Sequence, residues 1–114
     1  MDQSSLPPAE FRVLLALVDG AKHGHGIRID VRERTAGRVD MGPGTLYGAI
    51  KRLLRRGWIA EVDAPRGQDG DGRRRFYQLT PVGKASARAE VARMRELLSI
   101  AEAKHLRPAR GEKA

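Results

Sequence analysis

Residues 41–59 read MGPGTLYGAIKRLLRRGWI, and one amphipathic helix accounts for most of them. Leu46, Ile50, Leu53 and Leu54 recur at steps of four, three and one, a spacing that gathers them into a single apolar stripe. Gly44, Thr45, Gly48, Lys51, Arg52 and Arg55 stand opposite that stripe. Pro43 suits the first helical position, where an N–H would have no partner, with Gly42 as N-cap and Gly57 as the stop. One face is therefore built for a core, and the other is cationic with glycines that remove bulk. Small and basic residues on the front half of a helix that packs by its back are what entry into a DNA major groove requires.

Pro43-Gly44-Thr45-Leu46-Tyr47, followed by Ile50, Arg52-Leu53 and Gly57-Trp58-Ile59, resembles the recognition-helix signature of the PadR family of winged-helix transcriptional regulators. The resemblance implies an α+β fold: a winged helix-turn-helix, with a three-helix core plus a β-hairpin wing, followed by a long C-terminal dimerisation helix. On that reading residues 6–80 form the DNA-binding domain, 81–106 the dimerisation helix and 107–114 a basic flexible tail.

The composition agrees with a polyanion partner. Of 114 residues, 22 are Lys or Arg and 14 Asp or Glu, for a net charge of +8. The excess is uneven. Residues 1–37 hold five basic and five acidic side chains, residues 38–75 nine and five, and residues 76–114 eight and four. The surplus begins at the proposed reading helix and favours phosphate contacts with counterion release. The length suits one domain whose modest core an oligomer would help to stabilise. No cysteine is present, which excludes disulfides and thiolate metal sites. Neither a bilayer-length apolar run nor a leader is visible, so a soluble, untargeted, cytoplasmic protein with no membrane partner is expected.

Upstream of the reading helix, Phe11, Leu14, Leu15, Leu17 and Val18 describe an apolar helix between Leu6 and Asp19, opened by Pro7-Pro8 and closed near Gly20. His23-Gly24-His25-Gly26-Ile27 is similar to the family's His-Gly-Tyr entry to the second helix, with His25 in the aromatic place. That helix is expected from Gly24 to Thr35, with Ile27 and Val31 inward and Arg28, Arg32 and Arg34 largely solvated. Arg28 is a candidate phosphate contact, since the first helix of such a pair crosses the backbone. His23 and His25 invite a metal reading, but the third histidine, His105, is distant and no Cys completes a shell. Capping or packing is the expected job, and no metal or cofactor is implied.

Downstream, Trp58 to Asp63 and Arg74 to Leu79 are rich in aromatic and β-branched residues, separated by the glycine-rich charged segment 64–72. That is a hairpin with a long tip, a wing. Arg73, Arg74 and Arg75 would reach phosphates or the minor groove. Strand alternation keeps all three from pointing the same way, so at least one should face solvent or pair with Asp69 or Asp71. Asp69-Gly-Asp-Gly lacks the further oxygen ligands and closing Glu of a calcium loop, and no glycine cluster is followed by Gly-Lys-Ser/Thr.

Thr80-Pro81 supplies an N-cap and an N1 proline for a last helix reaching about Leu106. Along it Ala87, Val91, Met94, Leu98, Ala101 and His105 alternate steps of four and three, with Ala85, Ala89 and Ala92 forming a second, smaller strip. One strip is expected on the domain itself and the other, Ala87 to His105, on a twin subunit. Such a dimer would set two reading helices roughly 34 Å apart, as a palindromic duplex site requires.

The function these residues indicate is a sequence-specific DNA-binding transcriptional regulator, a repressor acting on a palindromic operator as a homodimer. Gly44, Thr45, Tyr47, Gly48, Lys51, Arg52 and Arg55 would line the groove, and Arg73 to Arg75 would hold register. Double-stranded DNA is the partner, and a small-molecule effector is compatible, although the last helix carries no Trp, Tyr or Phe for a stacking pocket. Two alternatives stand beside this: a MarR-like winged-helix regulator, which shares the wing and the Leu-Thr-x-x-Gly after it, and a basic RNA-binding protein, which the 4% aromatic content disfavours. No Cys nucleophile, carboxylate pair or His-bearing triad suggests an enzyme.

Overall fold

A computed structural model describes residues 6–64 and 75–108. Helix α3 runs Pro43–Arg56 and has the ends its sequence dictates: Gly42 precedes the N1 proline, and Gly57 turns left-handed at φ 75°. There the amides of Gly57 and Trp58 donate to the carbonyls of Leu54 and Leu53 at 3.0 Å each, closing the helix as a Schellman motif. Its back, Leu46, Ala49, Ile50 and Leu53, is fully buried, and Leu54 is partly buried. Ala49 completes the stripe read from the larger side chains.

Two helices lie behind it. Helix α1, Pro8–Ala16, buries Phe11, Val13 and Leu14, with Leu17 just beyond its end, while Leu15 and Val18 stay exposed. It is shorter than its apolar pattern, because the chain leaves α-geometry in turns before Gly20. Helix α2, Gly24–Arg34, turns Ile27 and Val31 into the same core. His23 is its N-cap, accepting the Gly26 amide on Nδ1 at 3.0 Å, and its ring meets Phe76 edge-on at 5.2 Å. Capping and packing thus fall to this histidine, as its position implied.

The wing strands are β2, Ile59–Val62, and β3, Phe76–Leu79, antiparallel with Ile59 opposite Leu79 and Val62 opposite Phe76. A third strand was not foreseen. Lys22–His23, β1, pairs antiparallel with the other edge of β3, giving the order β1-β3-β2. This short strand joins the start of α2 to the base of the wing, and covers an edge of β3 that would otherwise hold unpaired amides.

Helix α4 spans Pro81–Ala103, and Thr80 Oγ1 caps it by accepting from the Gly83 amide at 3.0 Å. Thr80 also donates that hydroxyl to the Gly57 carbonyl at 2.7 Å and its amide to the Trp58 carbonyl at 3.1 Å. Gly83 lies so close to this junction that a Cβ there would overlap the Trp58 carbonyl. The buried residues of α4 are Gly83, Ala87 and Glu90, at steps of four and three. The same rhythm continues through Met94, Leu97 and Ala101, beyond which the helix ends, but no described residue after Glu90 is buried.

Two expectations for this helix need correction. The own-domain and outward surfaces do not lie side by side around its circumference. They follow one another along its length, because the core is shorter than the helix, and Ala85, Ala89 and Ala92 are all exposed. Consequently Ala87, 6% exposed, belongs to the protomer's own core rather than to an outward face. His105 also leaves the strip, since it adopts φ 65° while Leu106 N–H bonds the Ala101 carbonyl at 2.9 Å. That Schellman closure stops the helix at Ala103, short of Leu106.

Candidate nucleic-acid interface

The front of α3 is presented by a turn that the sequence ties down at both ends. Thr35 Oγ1, at the end of α2, donates to the Val31 carbonyl at 2.9 Å and accepts from the Val39 amide at 3.0 Å. Arg28 grips Asp40 with a two-point fork, Nε to Oδ1 at 2.6 Å and Nη2 to Oδ2 at 3.0 Å. The guanidinium hydrogen bond holds the Asp40 carboxyl below its usual range and raises Arg28 correspondingly. Arg28, a candidate phosphate contact, is thus engaged in bracing the turn. Met41, 5% exposed, then seats the start of α3 in the core. Arg34 pairs with Asp30 at 3.3 Å, and Arg32 lies 4.0 Å from Asp40. The second helix is therefore more self-neutralised than its composition suggests.

On α3, Gly44, Thr45, Lys51 and Arg55 are exposed, as is Tyr47, while Gly48 is half-buried. Tyr47 has a second contact. A Cβ on Gly24 would overlap its hydroxyl, so the ring of α3 leans on the first residue of α2. His25, Arg28, Pro43 and Leu46 share a small cleft with it. Gly24 is thus a close-approach glycine that sequence reading placed only in a motif. Arg56 stacks over Trp58 at 4.8 Å from the ring centroid, which keeps this cation beside the root of the wing.

Arg52 differs from its neighbours. Its Nε donates to Oε2 of Glu10 on α1 at 2.6 Å. Glu10 is 1% exposed, and nothing in its local sequence marks it as the buried partner of a residue 42 positions away. Of the wing arginines, Arg73 and Arg74 lie outside the described residues, as do Asp69 and Asp71. Arg75 is exposed and lies 3.8 Å from Glu61 on β2, a cross-strand partner rather than one in the tip. Val91, Met94 and Leu98, expected on a twin subunit, are exposed, and Ala101 is half-exposed.

Three helices around one core, a strand pair rooted beside the third of them, and a cationic face on that helix define a winged helix-turn-helix protein. The chain belongs to the PadR-like family of transcriptional regulators, whose family model matches residues 13–89. An uncharacterized 37.1 kDa protein in transposon TN4556 of Streptomyces fradiae is 35% identical over 89 residues, 78% of this chain and 24% of its own length. The chain thus spans about a quarter of that relative. The crystal structure of a PadR family transcription regulator from Clostridium difficile R20291 superposes with a TM-score of 0.73 at 24% identity, over 84% of this chain and 96% of its own. Bacillus subtilis PadR in complex with operator DNA does so with a TM-score of 0.62 at 20% identity, over 74% of this chain and 46% of its own. At those identities the two structures share its fold.

Proposed function

We propose that this regulator is a repressor that binds a palindromic operator as a homodimer, reading the major groove with α3 and holding register with the wing. The observation that carries the reading is the division of α3. Its back is locked into the core, while Thr45, Lys51 and Arg55 on its front are exposed, and Lys51 and Arg55 have no ion pair among the described residues. Such a surface gains little by staying in water and much by displacing counterions from phosphates. That the Bacillus subtilis protein of the same fold was captured with operator DNA supports duplex DNA over the RNA alternative.

The pairing rests on the far half of α4, where Val91, Met94, Leu97, Leu98 and Ile100 are exposed together on about three turns of helix. A second copy of the same strip would cover them by two-fold symmetry. No described helix is long and apolar enough to cross a membrane, so a bilayer-spanning role for this apolar strip does not compete. For an effector, an open cleft of about 400 Å³ between Leu17, Val18, Leu79, Pro81 and Lys84 offers space, without an aromatic ring. Selection of duplexes from a random library, with light scattering on the complex, tests the reading. A two-fold symmetric consensus with half-sites about one turn apart, bound by two protomers, is expected. A consensus without symmetry, or binding by one protomer, overturns the dimeric operator.

A further inference from the structure

Arg52 is held at two points that none of the other cations on α3 share. A side chain on a helix leans toward the N-terminus, so Arg52 passes over the residue one turn earlier. That residue is Gly48, and a Cβ there would sit 3.3 Å from Arg52 Nη1. The absent side chain lets the guanidinium fold back along the helix, and Nε reaches Glu10 Oε2 at 2.6 Å. The Arg52 side chain nevertheless remains 49% exposed, and its Nη atoms have no hydrogen-bond partner among the described residues. Glu10 is 2% exposed in its side chain, and its second oxygen, Oε1, is buried with no hydrogen-bond partner among the described residues.

These facts separate Arg52 from Lys51 and Arg55. A buried carboxylate directly behind the guanidinium neutralises most of its long-range charge, so Arg52 attracts phosphates weakly. Its geometry, by contrast, is fixed before any ligand arrives. With Nε engaged, the one fork left is the end-on pair Nη1 and Nη2, which matches the two acceptors of a guanine edge, O6 and N7. Fixing a long side chain in advance removes an ordering cost from the bound state. We propose that Glu10 is a positioning residue for base readout: acting from α1, with Gly48 leaving the passage open, it holds Arg52 end-on so that Arg52 confers sequence discrimination rather than affinity for DNA in general.

The proposal rests on α3 being the reading helix, and its test separates the two. The probes are the duplex that the wild-type protein selects from a random library and a shuffled duplex of the same composition. Binding is measured on protein whose folded fraction is read by circular dichroism. If the wild type selects no sequence, α3 readout itself fails. If it does, Glu10→Leu, which removes the acceptor and the buried charge, should lower the ratio of selected to shuffled affinity by roughly 5- to 150-fold. Affinity for the shuffled duplex should hold or rise, because the Arg52 charge is released. Gly48→Ala, which leaves Glu10 intact and crowds the guanidinium, should lower the same ratio. The Glu10→Leu, Arg52→Ala double variant should discriminate no better than Arg52→Ala alone. A double variant with wild-type discrimination would mean that the pair only staples α1 to α3. A Glu10→Leu protein that keeps the ratio while Arg52→Ala loses it, or that loses affinity for both duplexes in parallel, would equally overturn the positioning role.

Discussion

Both α3 and the far half of α4 present a whole helix face to water, one built from Gly44, Thr45, Lys51 and Arg55, the other from Val91, Met94, Leu97 and Leu98. The first face is stable as it stands. Its cations are hydrated, and what it lacks is an anion. The second is not, because its large apolar side chains are about half exposed, and each forgoes about 1 kcal/mol of burial. On the proposed reading, these two uncovered surfaces take chemically different partners, nucleic acid for one and another apolar surface for the other. The division of α4 makes the contrast sharper. Its first half, with Gly83, Ala87 and Glu90 inward, uses the same strip for the protomer that its second half leaves open.

Charging the open half should break this comparison most completely. Met94→Glu with Leu98→Glu places carboxylates where the proposed dimer would close, and we expect self-association to weaken by about 4 kcal/mol or more. Both side chains are exposed in the protomer, so its helical circular dichroism should persist while light scattering reports a monomer. An unchanged mass at equal concentration would move the interface elsewhere. Next in size is the docked half. In Gly83→Ala a Cβ would overlap the Trp58 carbonyl, a backbone atom that cannot swing aside, and forced overpacking of this kind costs about 2 to 3 kcal/mol. Urea denaturation should show that loss; wild-type stability would mean that α4 does not depend on the close approach.

On α3 the expected effect is smaller and of another kind. Lys51→Ala should leave the melting temperature in place, since the side chain is exposed and unpaired among the described residues. It should weaken binding to a selected duplex by about 1 to 2 kcal/mol, within the range of one base contact. A gel-shift titration that shows no change would take Lys51 out of the interface.

How far these surfaces were legible in the sequence follows from the range of the interactions that make them. The bounds of α3 and the start of α4 rest on local chemistry, Pro43 and Gly57 for one and Thr80-Pro81 for the other, and the chain itself displays it. The end of α4 was overestimated because the residue that turns left-handed there is His105, where glycine would have announced the stop. Strand β1 has no alternation to read in Lys22-His23, and exists because β3 offers it an edge. Glu10 resembles any acidic residue in a first helical turn. Its burial and its hold on Arg52 depend on α1 crossing behind α3, a tertiary fact without a local signature. The split of α4 was hidden similarly: the four-three rhythm runs unbroken from Gly83 to Ala101, and only the size of the core decides where cover ends.

Glu90 stands at that boundary, and its expected effect is the smallest. It is 7% exposed, with Arg93 donating Nη2 at 2.7 Å and Nε at 3.3 Å, and the Leu6 amide donating at 3.4 Å. The hydrogen bond from Arg93 lowers its carboxyl below the ordinary 4.5, with burial opposing and the Leu6 amide assisting. A carboxylate whose pKa is lowered by folding adds stability above its unfolded value, and that stability is lost as the pH falls through the folded one. Glu90→Gln should therefore melt below the wild type at neutral pH, and the gap should narrow as the pH falls below 4.5. Because Arg93 is partly in water, the gap should be modest and should shrink with added salt. A gap constant across the whole range would mean that Glu90 secures the last covered turn of α4 by packing alone, and that charge has no part in fixing where the docked half ends.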